Sequence, residues 1–223
     1  MKTKSMSRPL FPPLFFLLLL FFLLLSMGSL QKSREDLAGR IAPSILRFHI
    51  LANSDSKEDQ AVKLEVRSYL LDWICDRLPE TVNSKESMVS WLEENQSGLE
   101  SAAGHFLMQK GISYQAHLSL ERTYFPTRVY DDLVIPCGTY DAARVILGKG
   151  KGHNWWCVLY PSLCYTDAIH AVVPDSSKKT LSSLLAEDDY DALLSPLDRT
   201  KQPQQKPEVR VRFRLMDLFH KKS

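Results

Sequence analysis

Twelve consecutive residues, Leu14 to Leu25, are all Leu or Phe. A stretch apolar on every side cannot be the amphipathic helix of a globular domain, so it must be judged apart from the rest of the chain. Lys2, Lys4 and Arg8 precede it and Ser26-Met27-Gly28 follows it, which is the layout of an export signal. As a helix the run spans about 18 Å, against a hydrocarbon core of roughly 30 Å, and Pro12-Pro13 makes a poor helix upstream. The length criterion favours a cleaved signal, residues 1–28, over a retained anchor formed by residues 10–27. In both cases the leading basic residues stay in the cytoplasm and everything after the run is sent across the membrane.

Removing residues 1–28 changes the meaning of the charge balance. The whole chain of 223 residues has 28 basic and 26 acidic residues, a formal net charge of +2. The leader contributes three basic residues and no acidic one, so the 195 that remain hold 25 and 26. Near-neutrality argues against a strongly basic nucleic-acid binder and against an acidic disordered tail. The exported part is long enough for one domain with a sizeable core. All four cysteines, Cys75, Cys137, Cys157 and Cys164, lie in it, where disulfides are permitted. No Cys-x-x-Cys pair supports a zinc ribbon or a thioredoxin-type motif.

Residues 29–44 read as a charged spacer. ILRFHILA from Ile45 alternates, with Leu46, Phe48 and Ile50 on one face of a strand and Arg47 and His49 on the other. Asn53-Ser54-Asp55-Ser56 stops the strand and supplies N-caps for a helix from about Lys57 to Leu78, closed by Pro79. That helix is apolar on two sides, with Leu64, Leu71, Cys75 and Leu78 on the second, which predicts a helix packed between other elements and a buried Cys75. A second helix fits Lys85 to Lys110, closed by Gly111. Strands follow at Tyr114 to Glu121, Thr127 to Ile135 and Tyr140 to Leu147, and Trp155-Trp156-Cys157-Val158 continues as another. A helical pattern covers Leu181 to Leu194, residues 176–207 form a variable, partly linker-like segment, and VRVRFRL (Val209 to Leu215) within residues 208–223 alternates as a last strand. The order predicts one α+β domain over residues 45–175, with a mostly antiparallel sheet and two long helices, behind an N-terminal hydrophobic export segment.

Several groups of residues suggest chemistry. GKGKGHNWWC lacks both the Gly-Lys-Ser/Thr of a phosphate loop and the Gly-x-Gly-x-x-Gly of a dinucleotide fingerprint, and it leads into a strand, which argues against nucleotide binding. Cys157 with His153 or His49 raises the idea of a thiol or cell-wall hydrolase. The competing account is a Cys157–Cys164 disulfide across Pro161, suited to an exported protein. His49 and His117 could converge with Asp55 on a metal or an acid–base site; a solvated sheet face explains the two histidines as well. Arg210, Arg212 and Arg214 fit a solvated face that discourages edge pairing. Neighbouring strand residues point to opposite faces, so either one of Trp155 and Trp156 is exposed as a binding anchor or both pack around a bend.

Two stretches together resemble one family. RFHILANSDSKEDQAVKLEVRSYLL (Arg47 to Leu71) and GTYDAARVILGKGKGHNWWCVLYPSLC (Gly138 to Cys164) are similar to stage II sporulation protein R of endospore-forming bacteria. The first carries the strand, the Ala-Asn-Ser-Asp turn and the following helix. The second carries the Gly-rich segment, Asn-Trp-Trp-Cys and Pro-x-Leu-Cys. Tyr160 and Ser162 stand where Phe and Pro are usual, and Cys137 where a small residue is usual. The resemblance implies a protein made in the forespore and exported into the space between two membranes. There it would trigger a membrane-embedded aspartic protease of the mother cell, which cleaves the precursor of the early mother-cell sigma factor. It implies a non-enzymatic signal with no cofactor, no bound metal and no nucleic-acid partner, touching the membrane only through its N-terminal segment. The expected contact with the extracytoplasmic part of the protease is His153, Asn154, Trp155 and Trp156, chosen on the physics of exposed aromatics.

Overall fold

A computed structural model of the chain describes residues 11–162 and 173–194. The expected last strand, Val209 to Leu215, and Cys164 lie outside the described residues.

The leader is part of one continuous helix, α1 (Phe11–Ile41), 31 residues long. Pro12 and Pro13 fall in its first turn, where a missing N–H costs nothing, so they do not shorten it. The helix is long and apolar enough to cross a membrane, by length and composition. The segment expected as a charged spacer is its last part, and its end belongs to the domain: Ala38 and Ile41 are buried. A Cβ at Gly138 would collide with the Ala38 methyl group, so Gly138 lets the helix lie directly on the sheet.

A short 3-10 turn leads into β1 (Leu46–Leu51), followed by three helices, α2 (Lys57–Arg77), α3 (Lys85–Glu94) and α4 (Gln96–Gln109). The single helix expected over Lys85 to Lys110 is thus broken in two. Asn95 is the break: its backbone leaves the helical region and its side-chain amide donates to the Trp91 carbonyl at 2.8 Å. After the helices come β2 (Ala116–Phe125), a small hairpin of β3 (Arg128–Tyr130) and β4 (Leu133–Ile135), then β5 (Gly138–Leu147) and β6 (Asn154–Tyr160). Two short helices, α5 (Asp175–Leu184) and α6 (Glu187–Leu193), end the described chain.

The main sheet has the order β2-β5-β1-β6. Only the central β1–β5 pair is parallel; β2–β5 and β1–β6 are antiparallel. The fold is therefore α+β with a mostly antiparallel sheet. Helices α2 to α4 cover one face, burying Phe48, Val66, Leu70, Ile74, Met88, Leu92, Leu99, Val145 and Cys157 in the larger core. The end of α1, the hairpin, α5 and α6 cover part of the other face around Phe125, Ile135, Tyr140, Val158 and Leu181.

This second layer corrects two expectations. Arg47 and His49 do not face solvent; they are 0% and 4% exposed. A central strand with a parallel neighbour is covered on both faces, which alternation in one strand cannot reveal. Helix α2, for its part, is covered only in part on its second side: Leu71 is buried and Leu78 packs against the core, but Leu64 is exposed and Cys75 is an exposed free thiol.

Candidate functional site

The two segments singled out in the sequence meet at one end of the sheet. Ser56 caps α2, its hydroxyl accepting the Asp59 N–H at 3.1 Å. That cap places the Asp59 carboxylate under the turn, where it accepts the Asn53 amide at 2.8 Å, the Ser54 hydroxyl at 2.5 Å and the Tyr114 hydroxyl at 2.8 Å. These donors, Ser54 foremost, hold the Asp59 carboxyl below the usual range. Opposite the turn, the glycine-rich loop adds a second set of bonds. The Lys149 N–H donates to Asn53 Oδ1 at 3.0 Å, the Lys151 N–H to the Asn53 carbonyl at 3.2 Å and the Gly152 N–H to the Ala52 carbonyl at 2.9 Å. Asp55 closes the arrangement by accepting the His153 N–H at 2.7 Å and pairing with the His153 imidazole.

The glycines are explained by this contact. Gly148 and Gly150 have φ of 55° and 59°, a left-handed conformation costly for other residues. At Gly152 the reason is proximity, since a Cβ would fall onto the Ser54 carbonyl oxygen. The loop is a structural latch onto the Asn-Ser-Asp turn: the N–H groups of Lys149, Lys151 and Gly152 are spent on Ala52 and Asn53, and those of Gly148 and Gly150 on the Gln115 and Leu147 carbonyls. Replacing Asp59 with Ala removes the shared acceptor and is expected to cost about 2 kcal/mol, three charge-assisted bonds discounted for partial exposure. Equilibrium urea denaturation of the variant against the parent measures it.

His153 emerges from the latch with an exposed side chain and leads into β6. Trp155 and Trp156 then point to opposite faces of the sheet, and both are half-buried, so neither is a fully exposed anchor and neither is sealed in the core. Trp155 lies on the helical side, edge-on to Phe48 at 6.2 Å with the Arg67 guanidinium 5.2 Å from its ring centre. Trp156 lies on the second face, stacked on His49 at 4.8 Å with 5° between the planes and edge-on to Phe125 at 4.8 Å. Arg128 sits over the Trp156 ring at 5.8 Å. Burial and the nearby charges of Arg144 and Arg47 lower the His49 pKa to about 4, so the imidazole is neutral at physiological pH.

The other candidates are kept apart. His117 is exposed and pairs with Glu100 at 2.8 Å, and Asp55 is held by His153, so neither meets His49. Cys157 is buried in the larger core beside Phe48 in register, while His49 faces the other side of the sheet. The fold therefore does not bring this thiol and this imidazole together. Among the described residues, no three His, Cys, Asp or Glu side chains group as a metal site. Cys137 is buried and free. Arg47 and Arg128 were not foreseen as site residues; the signal that could have found them is the run of Tyr130, Tyr140 and Phe125, aromatic residues able to enclose a guanidinium.

The comparison with known proteins fits this geometry. A model of the family described as stage II sporulation protein R matches residues 42–170, more than half of the chain. The chain belongs to the stage II sporulation protein R family. The matched span begins at the 3-10 turn and takes in the latch, the tryptophan strand and the sheet. The chain is also 28% identical over 193 residues to stage II sporulation protein R of Bacillus subtilis (strain 168), covering 80% of this chain and 83% of that protein. No solved structure matches.

Proposed function

We propose that this protein is an exported signal of endospore formation. It leaves the forespore for the space between the two membranes and activates a membrane-embedded aspartic protease of the mother cell. That protease then cleaves the precursor of the early mother-cell sigma factor. The family match carries the reading, and the apolar helix α1 ahead of the domain supports export or membrane anchoring. On this reading the protein acts by binding, not by catalysis, and shifts the protease toward its active state by preferring that state. The contact is His153, Asn154, Trp155 and Trp156, because β6 is the outermost strand of the sheet among the described residues and carries both half-buried rings next to the latch. A Cys157–Cys164 disulfide would hold the end of that strand.

The test is to express the protein in a sporulating strain that lacks its own signal and to follow processing of the sigma-factor precursor. The parent should restore processing. Trp155→Ala and Trp156→Ala should each lower it by about tenfold or more, the loss of one interface hot spot, while the purified variants stay folded. Unfolding of both variants would show the pair to be core and would remove the contact claim. Full processing by both variants would do the same.

A further inference from the structure

Helix α1 passes without a break from the apolar leader into the domain, and its contacts fix where a bilayer would stand. Residues 11–30 are helical and carry no charge. A helix of that length spans about 30 Å, the thickness of a hydrocarbon core. The run from Leu14 to Leu25 is too short by itself, but the helix continues on both sides of it. From Phe15 to Leu30 every large apolar side chain is exposed, on all sides of the helix. None of the described residues covers them, and apolar surface on this scale does not stay in water.

The apolar stretch ends where the domain begins. Gln31, the next residue, donates to the Tyr124 hydroxyl at 3.2 Å, and that hydroxyl donates to Glu35 at 3.2 Å. Further on, Ala38 lies against Gly138, Ile41 is buried and Arg40 pairs with Asp189 at 2.8 Å. With Leu30 at the hydrocarbon boundary, Tyr124 falls in the headgroup layer, where tyrosine is enriched. Its side chain is half exposed, and Lys32 and Arg34 on α1 and Arg122 on β2 are exposed beside it, cations suited to lipid phosphates. The far end of the sheet is remote from this layer. His117, Ile146, Leu51 and Asn154 stand in one row there, about 23 Å along β2 from Tyr124 at the rise of an extended strand. Helix α1 advances toward that end, from Tyr124 beside Thr139 to Ala42, whose carbonyl accepts Lys85, the partner of Asp141.

We propose that α1 is retained as a transmembrane anchor and that the Tyr124 end of the sheet rests on the headgroups of the same bilayer. The partner of this surface is a lipid surface, and the unbroken path of α1 holds the domain on it. The latch end then points away from the membrane. The placement does not depend on the signalling role; on that reading it offers His153 and Asn154 to a partner outside this bilayer.

The test has two arms on the full chain. In the first, the protein is expressed in a bacterial host with an intact export pathway. It should stay in the membrane fraction after an alkaline carbonate wash, and its intact mass should include residues 1–28. In the second, the protein is placed in nanodiscs of phosphatidylcholine and phosphatidylglycerol doped with a gadolinium-chelate lipid, and broadening of backbone amide resonances is read by NMR. The amides of Gln31, Glu35 and Tyr124 should be broadened strongly, and those of His117, Ile146 and Asn154 hardly at all. A flexible Gly-Ser insert after Leu30 cuts the rigid connection while leaving the span and the domain whole. With it, broadening at Tyr124 should fall several-fold at unchanged thermal stability.

Release of a chain shortened by its leader would overturn the anchor. Equal broadening of the two sets of amides, or stronger broadening at the latch end, would overturn the orientation. Unchanged broadening in the chain with the insert would show that α1 does not hold the domain on the lipid. None of these readouts uses precursor processing, so the placement and the signalling role fail independently.

Discussion

Gly152→Ala is expected to destabilise the protein by more than about 3 kcal/mol, above the common range for overpacking. The added methyl group would sit 2.5 Å from the Ser54 carbonyl carbon and 2.9 Å from the Ala52 Cβ. Those are backbone and near-backbone atoms, so no flexible side chain can yield. Relief requires the glycine loop to lift from the turn, which breaks the Gly152 to Ala52 and Lys151 to Asn53 bonds and frees His153 from Asp55. Gly104→Ala is the matching control, since a Cβ there meets nothing within 4 Å and alanine favours the helix. Urea midpoints of the two variants should move in opposite directions. A Gly152→Ala protein as stable as the parent would show that the latch is not rigid.

The pH dependence of stability should carry the signature of His49. Its pKa is about 4 in the folded protein, against an ordinary value near 6.5 in the unfolded chain. Between those values the unfolded chain binds a proton that the folded protein does not, so stability is full above pH 6.5 and falls as the pH drops toward 4. The difference corresponds to about 3 kcal/mol. Arg47 and Arg144 flank the ring on its own face, Trp156 and Phe125 pack on it, and the carboxylate of Glu121 is bound to Arg144. His49→Phe keeps an aromatic ring in the stack and removes the titration. Urea unfolding at several pH values between 7.5 and 4 should give a flatter profile for the variant by about one proton. Parallel profiles would show that His49 is not sealed from solvent.

Much of the larger core was legible because its signals are local. Phe48 and Ile50 alternate in β1, the Ser56 cap and the spacing of Val66 and Leu70 mark α2, and Asn154 to Tyr160 reads as a strand. The break at Asn95 was less visible, because Met88, Trp91, Leu92 and Leu99 keep one helical stripe across it. The environment of Arg47 and His49 could not be read at all. The rings packed on them are Phe125, Tyr130, Tyr140 and Trp156, residues far from β1 in the chain.

The sequence by itself determined that an apolar helix precedes a near-neutral α+β domain, since run length, charge and periodicity are properties of neighbouring residues, and its two motif segments carried the resemblance to the family. Only the tertiary structure decided that those motifs form one latch, that the two tryptophans serve opposite faces, and that an arginine lies buried beneath one of them. Each of these depends on backbone approach or on layers packing over the sheet. Contacts between distant segments, such as that of Asn53 with Lys149, 96 residues apart, leave no local pattern from which they could be read.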